Sequence, residues 1–408
     1  MAEAPNAYAG DVPPCSLLRS TSWTFGGAAS VVLGLATSLP LPARGATLEP
    51  PEPNLDELRL DRDVIAAPTL DGGVAELTLD PGLQRAAMRL LAAAHPGSGA
   101  IVVVDPRHGH VLAWAGLRDG AQAPSVVSTT LAPAASLFKI VTTTALLERH
   151  VDPNRVVCIE GGSAGISLEH LWRPRSGRAL CGPFREALGR SRNAVFAQLV
   201  TRYLGKDDIV RTAERFGFNG DAPLEVPVPV GTLTVPDGQL PFARAAAGFV
   251  GSRLSPVGAA NLATTVATGG RMLRLHLVRR ADGFELSRGR RFVRRVMAED
   301  TARELVRMME VTVHSGTSLG AFTDESGRSY LGDVRAAGKT GTLQPNDDDP
   351  TTSWFVGFAP SREPRLVVSV LLENGPVWRR KANEIGRDLF RFYFASHGFR
   401  GVTVPEGM

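Results

Sequence analysis

The spacing of apolar positions predicts strands and helices that begin near residue 74. Residues 75–79 alternate between apolar and polar side chains, which predicts a strand. Asp80-Pro81 then predicts the capped start of a helix, since its apolar residues recur at helical spacing. The uniformly apolar run 100–104 predicts a buried strand, and 110–114 predicts the strand that pairs back on it through a turn.

The middle of the chain is mostly helical in its periodicity, and the C-terminal part contains strands again. Residues 207–216 and 301–313 show helical spacing of apolar side chains. Two further strands are predicted at 353–358 and 366–372, and a closing helix at about 382–394. A strand pair, a long helical insert, three strands and a helix predict an α+β fold: a central antiparallel sheet flanked by helices, with a large helical insert.

The N-terminal 74 residues differ in composition from the rest. Residues 20–43 carry no charge and contain an apolar stretch, so 1–46 is predicted to be a signal sequence or a membrane anchor, the alternative being a disordered tail. Repeated prolines predict a linker over 47–74. The predicted folded domain is then 75–398, followed by a tail at 399–408.

Composition narrows the chemistry. The 408 residues are 43% hydrophobic with a net charge of +4, which does not indicate nucleic-acid binding. Only four of the 45 basic residues are lysine, and arginine cannot lose its proton to act as a base. The cysteines show no metal-ligand spacing. Neither a metal nor a cofactor is predicted. Cys158 and Cys181 are either bridged in an exported protein or two buried thiols.

Ser136 and Lys139 form the first candidate site. Pro133 precedes them and the apolar run 140–147 follows, which predicts a buried helix with Ser136 in its first turn. Residues three apart share a helix face, so the Lys139 amine is expected beside the Ser136 hydroxyl. Burial would lower the pKa of that amine and make it a candidate base for a serine nucleophile. The alternative is a surface lysine next to an ordinary N-cap serine.

Two further polar motifs follow in the chain. Ser191 and Asn193 flank one residue and are placed to project from a tight turn or a helix N-terminus. Gly338 and Gly341 bracket Lys339 on a predicted strand, and glycine in a strand often marks the close approach of a ligand or another backbone. Taken singly, these motifs are better explained by a helix N-cap and by an edge strand with a solvated lysine.

Together the motifs resemble those of one family. The strings at 136–139, 191–193 and 339–341, separated by 55 and 148 residues, resemble the S-x-x-K, S-x-N and K-T-G set of penicillin-binding proteins and serine β-lactamases. The stretch 77–84 is similar to the entry to a high-molecular-mass transpeptidase domain. Residues 315–317 and 354–357 also fit, and the resemblance covers nearly the whole predicted folded part.

The resemblance implies acyl transfer through an acyl-enzyme. Ser136 would attack the carbonyl of a terminal D-Ala-D-Ala bond, with Lys139 as its base. Ser191 would relay a proton toward the leaving amine, and Asn193 would hold the peptide and Lys139. The backbone N–H groups of Ser136 and Thr342 would form an oxyanion hole.

The resemblance also implies a carboxylate site and a set of partners. Lys339, Thr340, Gly341 and Thr342 would bind the substrate carboxylate. The implied substrate is the peptidoglycan stem peptide, with β-lactam antibiotics as inhibitors and cell-wall synthesis proteins as further partners. The implied location is outside the cytoplasm, in the periplasm or at the outer face of the cytoplasmic membrane.

Arg192 departs from the family pattern, because the residue at that position is expected to be small or a cysteine. The cleft entrance is therefore predicted to be more cationic.

The alternatives to a D,D-transpeptidase are a β-lactamase or D,D-carboxypeptidase of the same fold, or a non-catalytic β-lactam-binding sensor or scaffold. The long insert between Ser191 and Lys339 favours the transpeptidase.

Overall fold

The computed structural model describes residues 49–405 and 407, with gaps at 61–62, 163–164, 175–176, 288–291, 345, 347–348 and 376–377. The strands of this part are β1 Arg59–Leu60, β2 Ile65–Pro68, β3 Val74–Leu77, β4 Ser98–Asp105, β5 His110–Arg118, β6 Ala121–Gln122, β7 Ala132–Pro133, β8 Val156–Ile159, β9 Leu180–Pro183, β10 Gly231–Leu233, β11 Ser252–Leu254, β12 Arg271–Leu273, β13 Val278–Ala281, β14 Phe284–Glu285, β15 Phe292–Arg295, β16 Ala337–Leu343, β17 Thr351–Ala359 and β18 Leu366–Asn374. The α-helices are α1 Pro81–Ala94, α2 Ser125–Thr129, α3 Lys139–Glu148, α4 Phe184–Gly189, α5 Asn193–Tyr203, α6 Lys206–Phe216, α7 Gln239–Ala246, α8 Pro256–Ala267, α9 Glu299–His314, α10 Leu319–Phe322 and α11 Ala382–Ser396.

The largest sheet in the described part of the chain has the strand order β16-β17-β18-β4-β5-β6, and all of its pairs are antiparallel. Its two faces are both covered. Ile101 and Val103 lie in the core formed with α1 and α11, whereas Val102 and Val104 lie in the larger core that includes α8. Because every side chain of β4 after Ser98 is buried, the sequence of this strand is an apolar run rather than an alternation. The predicted α+β fold with a central antiparallel sheet is confirmed.

Local sequence signals explain where the flanking helices begin. Asp80 caps α1 by accepting a hydrogen bond from the backbone N–H of Leu83 at 2.7 Å, with Pro81 at the first helical position. Ser255 caps α8 in the same way. The helix α8 is buried on nearly all sides, which matches its position between the sheet and the helical insert.

The predicted linker is corrected by the structure. Within 47–74, β1, β2 and the start of β3 form antiparallel strands, and β3 pairs with β13 from the distant insert. Ile65 and Ala67 are buried. The prolines therefore bound short strands rather than separating domains. The predicted segment 1–46 lies outside the described residues.

The insert contains more strand than its periodicity predicts. The predicted helices at 207–216 and 301–313 are confirmed as α6 and α9. Between the helices lie short ribbons, including β8 paired with β9. A disulfide joins Cys158 and Cys181 across this ribbon, which settles the choice between a bridge and two thiols.

Candidate active site

The Ser136 hydroxyl lies at the base of a cleft, next to the start of α3. Residues Ala135–Phe138 form a 3₁₀ turn that leads directly into α3, so Ser136 is not in the first turn of an α-helix as predicted. The Lys139 Nζ nevertheless lies 2.7 Å from the Ser136 Oγ. A residue spacing of three brings the two side chains to one face in a 3₁₀ turn as it does in an α-helix.

Lys139 is fully buried. Its amine donates a hydrogen bond to the Ala247 carbonyl at 2.7 Å and lies 5.6 Å from the centre of the Phe196 ring. Burial, and secondarily the positive charge of Lys339, hold the pKa of Lys139 well below its ordinary value. A neutral amine with a free lone pair beside a hydroxyl is suited to accept a proton from it.

Ser191 lies between Ser136 and Lys339. Its hydroxyl donates to the Ser136 Oγ at 3.0 Å and accepts from the Lys339 Nζ at 3.1 Å. Ser191 lies between α4 and α5 with a φ of 51°, a left-handed conformation that is uncommon for a residue other than glycine. Such strain is typical of residues whose position is fixed by function.

Lys339 lies on β16, at the edge of the central sheet, and is fully buried. Its amine also donates to the Thr340 carbonyl at 2.7 Å. Burial lowers the pKa of Lys339 to about 7. An anionic group that entered the cleft would favour the protonated amine and raise that pKa again.

The remaining predicted residues lie around the same cleft. Asn193 begins α5, and Thr340 and Thr342 belong to β16; all three line a cavity of about 890 Å³ that also contains Ser136 and Ser191. A Cβ on Gly341 would lie 3.3 Å from the Ala135 Cβ. This glycine therefore permits β16 to pass close to the 3₁₀ turn Ala135–Phe138, here called the nucleophile turn. The structure thus brings together all eight predicted residues, whose individual roles remain predictions.

Several residues that complete the site have no local sequence signal. The Ala247 carbonyl reaches Lys139 from 108 residues away, and the Trp354 indole holds the strand before Ser136 by donating to the Pro133 carbonyl at 2.9 Å. The Thr317 hydroxyl lies 2.7 Å from the Thr340 hydroxyl. The family resemblance is the signal that points to 315–317, whereas a backbone carbonyl such as that of Ala247 has none.

The sequence and the fold have clear relatives. Residues 99–391 match the model of the penicillin binding protein transpeptidase domain. The peptidoglycan D,D-transpeptidase PbpA of Mycobacterium tuberculosis is 28% identical over 355 residues, covering 74% of this chain and 68% of the relative. Stage V sporulation protein D of Bacillus subtilis is 27% identical over 349 residues, covering 75% of this chain and 50% of that protein.

Solved structures agree on the fold. The imipenem acyl-enzyme complex of penicillin-binding protein A from M. tuberculosis superposes with a TM-score of 0.65 at 24% identity, covering 79% of this chain and 80% of that one. The penicillin G acyl-enzyme complex of the same protein gives a TM-score of 0.63 at 23% identity, covering 80% of this chain and 81% of that one. With the family model matched over most of its length, this chain belongs to the penicillin-binding protein transpeptidase family.

Proposed function

We propose that this protein is a serine D,D-transpeptidase that cross-links peptidoglycan stem peptides and is acylated by penicillin. The observation that carries the proposal is the contact of 2.7 Å between the Ser136 hydroxyl and the fully buried amine of Lys139. A lysine in this position makes a serine nucleophilic, and a purely structural role would not require it. The relative named peptidoglycan D,D-transpeptidase supports the reaction class.

In the first half of the reaction, the Ser136 Oγ attacks the carbonyl carbon of the terminal peptide bond. Its proton passes to the neutral Lys139 amine, which the Ala247 carbonyl orients. Collapse of the tetrahedral intermediate breaks the C–N bond and expels D-alanine. Its amine takes up the proton that Lys139 accepted, passed on through the Ser191 hydroxyl in contact with Ser136, so Lys139 is neutral again. The product is an ester on Ser136.

The strand β16 supplies the positive charge that binds the substrate carboxylate. In its protonated form, Lys339 attracts the C-terminal carboxylate, with Thr340 and Thr342 as hydroxyl donors and Gly341 leaving space for the strand. As the edge strand of the sheet in the described structure, β16 also presents backbone groups that no neighbouring strand pairs on its outer side. The backbone N–H groups of Ser136 and Thr342 are the proposed oxyanion hole, in which each donor contributes about 2.7–4 kcal/mol to transition-state stabilisation.

In the second half, an amine of a second stem peptide attacks the ester and regenerates Ser136. Asn193 at the start of α5 is proposed to hold the donor peptide. Because peptidoglycan is outside the cytoplasm, the reaction is proposed to take place there, in the periplasm or at the outer face of the cytoplasmic membrane. Cell-wall synthesis proteins as further partners, the signal sequence or anchor at 1–46 and the outer limits of the catalytic domain are likewise proposals.

No helix of the described residues has the length and apolar character needed to cross a membrane.

The test is labelling with a fluorescent penicillin. Wild-type protein is expected to form a covalent, gel-stable adduct, whereas Ser136→Ala forms none because the ester cannot be made. Ser128→Ala is a matched control, since its hydroxyl donates to the Ser125 carbonyl of the same short helix, α2, at 3.1 Å. Wild-type protein that is folded but unlabelled, or Ser136→Ala protein that still labels, contradicts the proposal.

A further inference from the structure

The side chain of Arg192 is a cation in the cleft without a counter-charge among the described residues. Arg192 is half-buried and lines the cleft between Ser191 and Asn193. Within the described part of the chain its guanidinium makes no hydrogen bond or ion pair. A partly desolvated guanidinium without a counter-charge is unfavourable, and it is compensated when an anion binds.

The position of this guanidinium is built into the fold. One of its nitrogens lies so close to Gly182 of β9 that a Cβ there would approach it to 2.9 Å. The disulfide holds β9 against β8, which fixes the surface on which Arg192 lies. The Arg192 backbone is held as well, because its N–H donates to the Ala187 carbonyl at 2.9 Å.

The charge distribution of the cleft points to an anionic ligand. Among the described residues that line it, the charged ones are Arg190, Arg192 and Lys381, and none is acidic. Arg190 is neutralised by Glu186 at 2.9 Å. Lys381 is solvent-exposed, so Arg192 is the half-buried, unpaired cation of the cleft lining in the described structure.

The direction in which the stem peptide binds identifies the part of it that lies near Arg192. In the proposed function, the C-terminal carboxylate lies at Lys339 and the reacting carbonyl at Ser136. The rest of the cleaved stem peptide, here called the donor, then continues along the cleft. Ile159 and Leu180 of the β8–β9 ribbon line this part of the cleft together with Arg192. The guanidinium is therefore beside the part of the donor that precedes the terminal dipeptide.

We propose that Arg192 is a specificity-determining residue that binds a second carboxylate on the donor, at the residue preceding the terminal D-Ala-D-Ala. The planar guanidinium matches a carboxylate through two parallel hydrogen bonds. The preferred substrate is thus a stem peptide with a free carboxylate at that residue rather than an amidated one. This inference rests on the proposed function.

Two penicillins test it, because carbenicillin differs from benzylpenicillin only by a carboxylate on the side chain that takes the place of the upstream donor. The measurement is the ratio of their second-order acylation rate constants. We expect Arg192→Gln to lower the carbenicillin-to-benzylpenicillin ratio about tenfold, the order that a hydrogen bond to a charged group contributes. Arg192→Lys keeps the positive charge but cannot form the two parallel hydrogen bonds, so it is expected to give an intermediate ratio.

Three variants control the result. Arg190→Gln is expected to leave the ratio unchanged, since Glu186 already neutralises that charge. Gly182→Ala is expected to lower the ratio, because its Cβ displaces the guanidinium. Lys381→Gln is expected to leave the ratio unchanged, because that amine is exposed to solvent. A benzylpenicillin acylation rate within about twofold of the wild-type rate shows that each variant is folded.

An unchanged ratio in Arg192→Gln overturns the inference, and so does a ratio that falls in Lys381→Gln instead. The same comparison with donor peptides that carry a free or an amidated carboxylate must show the same loss in Arg192→Gln, and equal use of both by wild type overturns the substrate assignment. Absence of acylation of wild-type protein by either penicillin is a different result, which contradicts the proposed function itself.

Discussion

At the scale of single residues, two fully buried lysines lie at the two ends of a pair of serine hydroxyls: Lys139 contacts Ser136, and Lys339 contacts Ser191. Lys139 and Lys339 are both desolvated, and the charge of Lys339 further lowers the pKa of Lys139. Protonating both at once is unfavourable in a site without acidic neighbours among the described cleft residues. The proposed roles divide accordingly, with Lys139 neutral as the base and Lys339 protonated as the carboxylate ligand.

This division predicts a bell-shaped pH profile for acylation by benzylpenicillin. The rate constant falls toward acid as Lys139 gains the proton that blocks its lone pair. It falls toward alkali with an apparent pKa of about 7, as Lys339 loses the charge that attracts the carboxylate. Rates measured at subsaturating penicillin report the free enzyme, in which these two pKa values apply.

The control for that profile is Lys339→Arg, which cannot lose its charge in this range. Its alkaline limb is expected to disappear while the acidic limb stays. If the variant retains an alkaline limb identical to that of wild type, Lys339 is not the group that titrates there.

Removing the charge tests the carboxylate site more simply. Lys339→Ala is expected to slow acylation by penicillin and by a D-Ala-D-Ala peptide at least about tenfold, because both ligands carry a carboxylate and a charge-assisted hydrogen bond contributes about 1.5–3 kcal/mol. Thermal unfolding checks that the variant is folded. Rates equal to wild type for both ligands would remove Lys339 from the site.

Residue positions are predictable from the sequence where spacing alone decides them. Ser136 and Lys139 are three apart, so any helical turn joins them. The Ala247 carbonyl that orients Lys139 is not predictable, because a backbone carbonyl has no sequence signature and the contact spans 108 residues. The same holds for Arg192: its charge at the cleft entrance follows from the motif, but its contact with Gly182 depends on how two short strands fold.

At the scale of elements, the nucleophile turn is held between β16 and the residues after α7. Gly248 has a φ of 86°, and a Cβ there would lie 1.9 Å from the Ala135 carbonyl oxygen. Because that carbonyl belongs to the 3₁₀ turn of Ser136, any side chain at 248 must move the nucleophile.

Gly248→Ala is therefore expected to lower the rate of penicillin acylation at least about tenfold and to destabilise the fold by at least about 3 kcal/mol. Gly398→Ala is the matched control: its φ is 72°, but no described atom beyond the adjacent residues lies within 4 Å of the position that its Cβ would take, so it should cost only about 1 kcal/mol of backbone strain. Acylation rates and thermal unfolding measure both. Similar behaviour of the two variants would mean that the contact at Ala135 does not position Ser136.

Element prediction succeeds where an apolar pattern extends over a whole turn or strand. The buried strand β4 and the helices α6, α9 and α11 all have such patterns. The strand predicted at 75–79 overlaps β3, whereas β1, β2, β8 and β9 are not predicted. They have two to four residues each, too few for a period to be recognised, and they are stabilised by pairing with other strands.

At the scale of the whole molecule, the segment predicted to be a linker is part of the fold. Residues 59–77 supply three of the five strands of a second antiparallel sheet in the described structure, and β3 pairs with β13 across about 200 residues of chain. Leu55 and Ile65 are buried in the same core as α3.

A chain that begins at residue 75 is accordingly expected to be less stable than one that begins at residue 49. Exposing Leu55 and Ile65 alone removes about 3 kcal/mol or more of burial energy, which corresponds to a fall in Tm of about 4 °C or more. Thermal unfolding of the two chains measures the difference. Equal Tm values would mean that residues 49–74 do not stabilise the fold and act as a linker.

Whether this fold performs acyl transfer as a transpeptidase or hydrolyses β-lactams as a β-lactamase depends on the lifetime of the ester at Ser136. Intact mass spectrometry after mixing with excess benzylpenicillin and removing the free drug measures that lifetime directly. We predict one penicilloyl adduct per chain, absent in Ser136→Ala, that persists while an amine acceptor is withheld and leaves the bulk penicillin unhydrolysed. An adduct that disappears as penicillin is turned over many times, with loss of that turnover in Ser136→Ala, would rule out the proposed transpeptidase and assign the site to β-lactam hydrolysis.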